Sequence, residues 1–339
     1  MGTLGTTGLT LSDYRKRMAP DGSVDFIIEA LEQGNPMLQH VKWNEGNLPT
    51  GNKTSVRVSI PTPSIRLINR GVANHKSTTK QITDTCMMLE DRSTVDVKLL
   101  RLSSDPQGLR RSEDAAFVMG FSDTVVKNLM YGDADKNPET FNGFSIRYDV
   151  IGGEKGEAGY QVIAGGTAGT GTNTSAFFVG WGSKHTVGIY PRGSKMGLTQ
   201  EDLGEMDVND ANGNPYRALV TLFDWDCGLA VQDIRSNAAV RNIDVSKVMG
   251  LSSTDKKALV DKFIIAKNRI RNLQNKDKDV HLYVSDTMYD FFETYLLDKN
   301  NVHVTRQDLQ GAPTQLYLSG IPIDKCDVIM ETEPAFTVA

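Results

Sequence analysis

The sequence predicts an α+β fold, in which extended segments and strongly patterned helices occupy separate stretches of the chain. Two observations support this prediction. A helical pattern from Ser112 to Tyr131 and another from Ser252 onwards lie beside segments whose apolar residues alternate or run continuously, as in strands. At 339 residues, of which 39% are hydrophobic, the chain is also long enough to bury a substantial core without a metal ion or disulfides.

The N-terminal forty residues predict an extended arm with one short helix. Ser23 can cap this helix, and Gly34 and Pro36 end it. Its apolar face consists of Val24, Ile27, Ile28 and Leu31. The chain contains neither a secretory leader pattern nor about 18 consecutive apolar residues, which predicts a soluble protein made in the cytoplasm. Three widely spaced cysteines predict reduced, buried thiols.

The next segment predicts an extended hairpin between Trp43 and Leu89. Val56, Val58 and Ile60 alternate with polar residues, and the alternation resumes at Ile65 and Leu67 after two prolines. Between Asn44 and Cys86 the chain carries six basic residues against two acidic ones, a local charge of +4: Lys53, Arg57, Arg66, Arg70, Lys76 and Lys80. Because so polar a ribbon cannot bury itself, we expect it to dock on a neighbouring acidic surface.

The clearest helix is predicted from Ser112 to Tyr131, with Ser112 as its N-cap and Gly132 as its end. Its predicted apolar stripe consists of Phe117, Phe121, Val125 and Leu129. A Gly- and Thr-rich stretch from Gly152 to Thr174 is typical of a loop. Strands are predicted from Ala176 to Ile189 and from Leu219 to Val245.

The segment between these strands is acidic and predicts either a partner surface or a merely solvated loop. It has no basic residue between Lys195 and Arg217. Its five acidic residues that form the candidate surface are Glu201, Asp202, Glu205, Asp207 and Asp210.

The last ninety residues predict a helix, strand, helix, strand unit that packs as its own subdomain. Ser252 and Asp255 form a helix-start pattern. One face of the first helix consists of Leu259, Phe263, Ala266 and Ile270, and that of the second of Met288, Phe291, Phe292, Tyr295 and Leu296. The predicted strands are Val280–Val284 and Leu316–Ile323.

The patterns that carry catalysis or metal binding are absent from the sequence. Gly166, Gly169 and Gly171 have the wrong order for a dinucleotide loop, and no phosphate-binding P-loop occurs. A calcium-like fragment at Asp210–Gly213 lacks carboxylates at its outer ligand positions and is typical of a turn. The five histidines show no paired spacing, and two S-x-x-K occurrences lack companion motifs. We therefore predict no catalytic residue, no metal and no cofactor.

Several segments resemble major capsid proteins of tailed bacteriophages, which have the Hong Kong 97 fold. They are WNEGNLPTGNKTSVR (Trp43–Arg57), LINRGV (Leu67–Val72), HKSTT (His75–Thr79), VGWGSKHTVGIYPRGSKMGL (Val179–Leu198), and DWDCGLAVQDIR and NIDVS between Asp224 and Ser246. The similarity extends over nearly the whole chain, and its specificity lies in the ordered set of segments.

The resemblance implies a domain organisation. It places an N-terminal arm at 1–43, an extended E-loop at 44–86, a peripheral domain at 87–251 that includes a spine helix at 112–131, and an axial domain at 252–339. In the usual order the axial domain precedes the last peripheral strands, whereas here its helices follow them. The boundaries between Asp133 and Ser252 therefore stay open.

The resemblance also implies a mechanical function and a set of partners. Copies of the chain would form hexamers and pentamers of an icosahedral shell in the virion, assembled in the host cytoplasm with a separate scaffolding protein and a portal protein. A decoration protein is a further candidate. The net charge of −5 predicts only non-specific contact with packaged DNA, and no membrane partner is predicted. The alternatives are a nanocompartment shell of the same fold and a hydrolase with an unrecognised site.

Overall fold

The computed structural model describes residues 35–169, 171–210, 212–297, 303–307 and 315–338. The helix predicted at Val24–Leu31 lies outside them. The chain divides into a small compact unit, which contains Met87–Val126 and Lys195–Cys227, and a large unit, which contains Pro36–Cys86, Lys127–Ser194 and the chain from Gly228 onwards. Within the described part of the chain, no helix has the length and apolar character needed to span a bilayer.

The secondary-structure elements are labelled here in chain order. The helices are α1 (Pro36–His40), α2 (Val97–Leu102), α3 (Pro106–Tyr131), α4 (Phe144–Arg147), α5 (Val245–Val248), α6 (Ser253–Arg269) and α7 (Asp286–Leu296). The strands are β1 (Trp43–Glu45), β2 (Gly51–Ser59), β3 (Thr78–Asp96), β4 (Val162–Ala164), β5 (Asn173–Trp181), β6 (Thr186–Tyr190), β7 (Thr199–Asn209), β8 (Pro215–Val231), β9 (Ala238–Asp244), β10 (Asp279–Val284), β11 (Val304–Gln307), β12 (Gln315–Leu318) and β13 (Ile321–Lys325).

The centre of the large unit is a mixed sheet built around β5. This strand pairs antiparallel with β10 along one edge and with β9 along the other, and every residue of β5 and β9 is buried. From β10 the sheet continues through β13 and β12 to β11. Beyond β5 it continues to β6, which also pairs with β1. Strands that are covered on both faces need nearly continuous apolar sequence, which explains the run from Ala176 to Trp181.

Helices α6 and α7 bury their predicted faces in the core of this sheet. The Phe263 ring lies edge-on to Phe178 of β5 and to Phe292 of α7, with ring centroids 6.3 and 5.1 Å apart. Ser252 caps α6 by accepting a hydrogen bond from the Asp255 backbone N–H, as predicted. All the predicted face residues of both helices are buried except Leu296, which is half-buried.

The prediction of a separate C-terminal subdomain is wrong for the packing of the core. Strand β10 pairs with β5, and one hydrophobic cluster contains residues of β5, β9, α6 and α7. Strand pairing over about a hundred residues leaves no local sequence pattern, so the shared core was not visible in the sequence. The division into peripheral and axial domains refers to positions in a shell and stays a prediction.

In the small unit, β7 forms an antiparallel hairpin with β8, and α3 packs on β8. Helix α3 begins at Pro106, six residues before the predicted start, because Asp105 accepts a hydrogen bond from the Gly108 N–H at 2.9 Å and proline suits the first helical position. It ends at Tyr131, as predicted. Phe121, Val125 and Leu129 of the stripe are buried, whereas Phe117 is half-buried.

Three further predictions of local structure need correction. The segment 152–174 contains a 3-10 turn at Gly159–Gln161 and the strand β4, which lies parallel to β9, so it is not one long loop. Strand β5 begins at Asn173, three residues before the predicted start, and the Asn173 side chain bonds to the backbone N–H and C=O of Gly169. The acidic segment is mostly the strand β7, and a turn at Gly213 (φ +83°) leads from it into β8.

A further correction concerns the hairpin. Strands β2 and β3 pair antiparallel from Gly51 opposite Thr85 to Ser59 opposite Thr78, which confirms a two-stranded hairpin. Its second strand was wrongly placed at Ile65 and Leu67, since residues 60–77 contain no strand. Pro61 and Pro63 lack the N–H groups that would extend the ladder.

Candidate functional site

The first candidate surface is the basic hairpin, residues 44–86. All six predicted basic residues are exposed, two on β2, three in the 60–77 connection and Lys80 on β3. None of the six forms an ion pair with another residue in the described ranges. The hairpin therefore presents a cationic surface that nothing in the described chain neutralises.

The tip of the hairpin also exposes large apolar side chains, which the sequence analysis missed. Ile65 and Ile68 are 95% and 92% exposed. The other exposed apolar residues of the same connection are Ile60, Leu67 and Val72. Clustered exposure of this kind is typical of an interaction surface, because water contact with each such side chain is unfavourable. The signal in the sequence was the group of apolar residues Ile65, Leu67 and Ile68, which lies between Pro63 and Val72.

A buried ion pair positions the base of the hairpin. The guanidinium of Arg147 on α4 donates to Asp84 of β3 at 2.7 Å and to the carbonyl of Leu229 at 3.1 Å. Burial raises the pKa of Asp84, and the charge of Arg147 opposes that shift. Gly51 opposes this point of β3 with φ +153°, and a Cβ there would lie 2.0 Å from the Asp84 carbonyl oxygen. The hairpin is thus anchored at its base, whereas the basic residues of its tip have no ion-pair partner among the described residues.

The second candidate surface is the acidic set on β7 and just after it. All five predicted residues are exposed, but they differ in their partners. Asp202 accepts two hydrogen bonds from Arg110, at 2.6 and 3.0 Å, and these hold the pKa of Asp202 below its usual value. Glu205 lies 3.5 Å from Arg217. Asp210 accepts the N–H groups of Asn212 and Asn214 in the turn.

These pairs divide the acidic set in two. Asp202, Glu205 and Asp210 have roles within the small unit itself. Within the described residues, Glu201 and Asp207 have no ion-pair partner. Among the five carboxylates, these two are the most available to a second molecule.

A buried charged network in the large unit was missed by the sequence analysis. Arg241 of β9 is fully buried, and its guanidinium donates to Ser175, to Ser145 and to the Tyr148 carbonyl, and lies 4.0 Å from Glu333. The ring of Phe336 lies 3.5 Å below the guanidinium. Burial lowers the pKa of Arg241 to about 10, so it stays charged at neutral pH. Tyr131 and Ser175 both donate to the Glu333 carboxylate, so the C-terminal segment is tied into the core.

The structure also brings together two histidines that are 241 positions apart in the sequence. The rings of His40 on α1 and His281 on β10 are stacked, with centroids 3.6 Å apart and an interplanar angle of 18°. Their ligating atoms and an oxygen of Asp324 lie within 4.8 Å of one another. A metal ion must lie near the plane of every imidazole that binds it, and two rings stacked face to face do not offer such a position. The geometry is that of two stacked rings whose Nδ1 atoms hydrogen-bond to other side chains, His40 to Tyr283 and His281 to Asp324.

Comparison with known proteins identifies a family and similar folds. A family model described as Major capsid protein GP7 matches residues 19–337, more than nine tenths of the chain. Among solved structures, a chain of bacteriophage Epsilon15 is 28% identical with a TM-score of 0.74, and the alignment covers 99% of this chain and all of that one. A chain of the bacteriophage JBD30 capsid is similar in fold, with a TM-score of 0.52 at 12% identity over 89% of this chain and 93% of that one. No curated protein sequence matches.

Proposed function

Because the chain belongs to the major capsid protein GP7 family, we propose that its basic hairpin joins neighbouring subunits of a bacteriophage capsid. The protein is a structural component of the virion with a Hong Kong 97-like fold, and copies of the chain assemble into the shell. The family description favours this function over a nanocompartment shell or a hydrolase. We expect no enzymatic turnover.

The observation that carries the proposal is the combination of exposed charge and exposed apolar surface at the hairpin tip. A solvent-exposed ion pair contributes only about 0–1 kcal/mol. Burial of an isoleucine side chain contributes about 1.5–3 kcal/mol. Ile65 and Ile68 therefore supply most of the binding free energy in our proposal, while the six basic residues select the orientation and the partner.

The acidic partner would be β7 of the neighbouring subunit. Glu201 and Asp207 are the carboxylates that we expect to pair with the hairpin, because Asp202 and Glu205 already have arginine partners. Charge complementarity of this kind also discourages wrong pairings between subunits.

The larger assembly follows from the domain organisation predicted above. In our proposal the axial domain, 252–339, surrounds the centre of hexamers and pentamers. The peripheral domain, 87–251, and the arm, 1–43, contact adjacent subunits. A separate scaffolding protein, a portal protein and a decoration protein are the proposed partners, and assembly takes place in the host cytoplasm. Packaged DNA would be contacted without sequence specificity.

The test is a double charge reversal in the hairpin, Arg66→Glu with Arg70→Glu. We expect an unchanged circular dichroism spectrum and a reduced yield of sedimenting particles, with the difference shrinking at high salt. The matched control is Lys257→Glu with Lys276→Glu, two exposed lysines elsewhere in the large unit, which changes the net charge equally.

A charge swap sharpens the test. Adding Glu201→Arg and Asp207→Arg to the hairpin variant should restore part of the particle yield, because the two surfaces would again be complementary. Normal assembly of the hairpin variant at all salt concentrations, or equal loss in the control, would contradict the proposal. Loss of secondary structure would show that the hairpin belongs to the subunit's own core.

A further inference from the structure

We propose that the stacked imidazoles of His40 and His281 form a proton-controlled lock, which holds helix α1 on β10 and β13 near neutral pH and releases it on acidification. The lock lies entirely within the large unit. It joins a short helix near the start of the described chain to two strands that follow more than two hundred residues later.

The hydrogen bonds around the pair assign the protons. The Trp181 indole N–H can only donate, and it bonds to the Tyr283 hydroxyl oxygen at 2.9 Å. The Tyr283 hydroxyl has no other acceptor among the described residues, so we assign its proton to Nδ1 of His40, at 3.0 Å. His40 Nδ1 therefore accepts, which requires the neutral form of this ring.

The second histidine, His281, has surroundings that favour its protonated form. Nδ1 of His281 lies 2.6 Å from an oxygen of Asp324, and the other oxygen of that carboxylate accepts from Gln315 at 3.0 Å. Asp279 lies 3.3 Å from Nε2 of the same ring. Two carboxylates at its two nitrogens favour a protonated His281. In this proposal the pair therefore holds a single positive charge, on His281.

The pKa directions agree with this assignment. Burial and the neighbouring His281 lower the pKa of His40. Burial also acts to lower the pKa of His281, but the hydrogen bond and charge of Asp324, together with Asp279, outweigh it and raise that pKa. The titratable or charged groups that face the lock from the neighbouring elements are Asp279, His281 and Tyr283 of β10, and Asp324 of β13, whose carboxylate oxygen lies 3.8 Å from Nδ1 of His40.

The sign of the pH effect follows from His40. Its pKa is lower when α1 is docked than when the ring is in water, so the released state binds the extra proton more readily. Acidification below the unperturbed value of about 6.5 therefore favours release. A second proton would place two charged rings 3.6 Å apart and would turn the Tyr283 hydroxyl toward another N–H. His281 keeps Asp279 and Asp324 when α1 leaves, so its charge stabilises the whole fold against unfolding, and this contribution is lost as pH rises through its raised pKa.

The lock can be tested on the full-length chain by hydrogen–deuterium exchange from pH 5 to pH 8, with intrinsic exchange rates corrected. The peptide to follow covers Pro36–Glu45. Below about pH 6.5 we expect its protection to fall by up to tenfold per pH unit, as release of α1 takes up one proton. His40→Gln, which cannot be charged, should abolish this dependence, and the control His75→Gln, in the exposed hairpin tip, should keep it.

A second measurement keeps the test decisive if His40→Gln does not fold. Exchange of the ring C2 proton, followed by mass spectrometry, gives the pKa of His40 in the wild-type chain. This pKa should lie below 6.5, at the pH below which the protection of the Pro36–Glu45 amides stops falling. Protection that is independent of pH, or a His40 pKa at or above 6.5, would overturn the lock. Loss of protection at neutral pH on addition of EDTA would also overturn it, because a metal ion would then hold the pair.

Discussion

The Arg241 network and the tip of the basic hairpin differ in the burial and pairing of their charged side chains. Arg241 is fully buried, and every arm of its guanidinium has an acceptor or an aromatic face, while Glu333 beside it is 2% exposed and accepts two hydroxyls. The basic residues of the hairpin are exposed and have no ion-pair partner in the described chain. Both regions belong to the large unit, yet one satisfies its polar groups internally and the other leaves them for another molecule.

The comparison separates stability from assembly. A change in the buried network should reduce the free energy of unfolding of the isolated subunit, because a buried charge without a partner is costly. A change at the hairpin tip should leave that quantity nearly unchanged and affect the shell.

The largest loss of stability is expected from Arg241→Met, at about 3–5 kcal/mol, because Glu333 would stay buried without its cation. Urea unfolding of the unassembled subunit measures the change. The control is Arg235→Met, since Arg235 pairs with Asp233 at a more exposed position and should cost under about 1 kcal/mol. Adding Glu333→Gln should recover part of the loss, and equal stability of the two arginine variants would refute the role given to burial.

Two substitutions on helix α3, at Phe117 and Phe121, are expected to reduce the free energy of unfolding by different amounts. The apolar stripe predicts equal effects for Phe117 and Phe121, but only Phe121 is buried. Phe121→Ala should cost about 3–5 kcal/mol, and Phe117→Ala about half as much, since part of its ring already contacts water while it stacks on Phe223. Thermal unfolding of both variants checks the ratio, and a larger effect at Phe117 would contradict it.

An intermediate loss of stability is expected at the base of the hairpin, where a buried ion pair lies next to the exposed strands. Arg147→Met should cost about 2–4 kcal/mol at neutral pH, because the Asp84 carboxyl would remain buried without its cation. Burial already raises the pKa of Asp84, and removal of Arg147 raises it further. A carboxyl with a raised pKa destabilises the fold increasingly as pH rises from its unfolded pKa toward the raised folded pKa, so the loss should shrink on acidification toward pH 4. A pH-independent loss would show that the carboxylate is not responsible.

The smallest effect on stability is expected from Ile65→Ser with Ile68→Ser. Because both side chains are exposed, the free energy of unfolding should change by less than about 0.5 kcal/mol. Particle yield should nevertheless fall, which circular dichroism beside sedimentation can show. The matched control is Ile265→Ser on α6, a half-exposed isoleucine outside the hairpin. Unchanged assembly would mean that the tip does not contact a neighbouring subunit.

Local patterns were sufficient for the elements that follow simple periodicity. The faces of α6 and α7, the cap at Ser252, the end of α3 before Gly132 and the turn at Gly213 all depend on residues within one or two helical turns of each other. Their side-chain spacing is dictated by the backbone geometry itself, so the sequence alone predicts them. The family resemblance, and with it the structural function, was likewise visible in ordered segments of the sequence and is confirmed by the family match.

What the sequence alone determined were the helix faces, the basic and acidic segments and the family. What the tertiary structure decided was which distant residues meet. The pairing of β10 with β5, the Arg241–Glu333 network and the His40–His281 stack join residues that are 92 to 241 positions apart. Such contacts depend on strand order and on which polar groups must be satisfied after burial. The physical reason is that burial energy rewards the contact without prescribing any particular spacing along the chain.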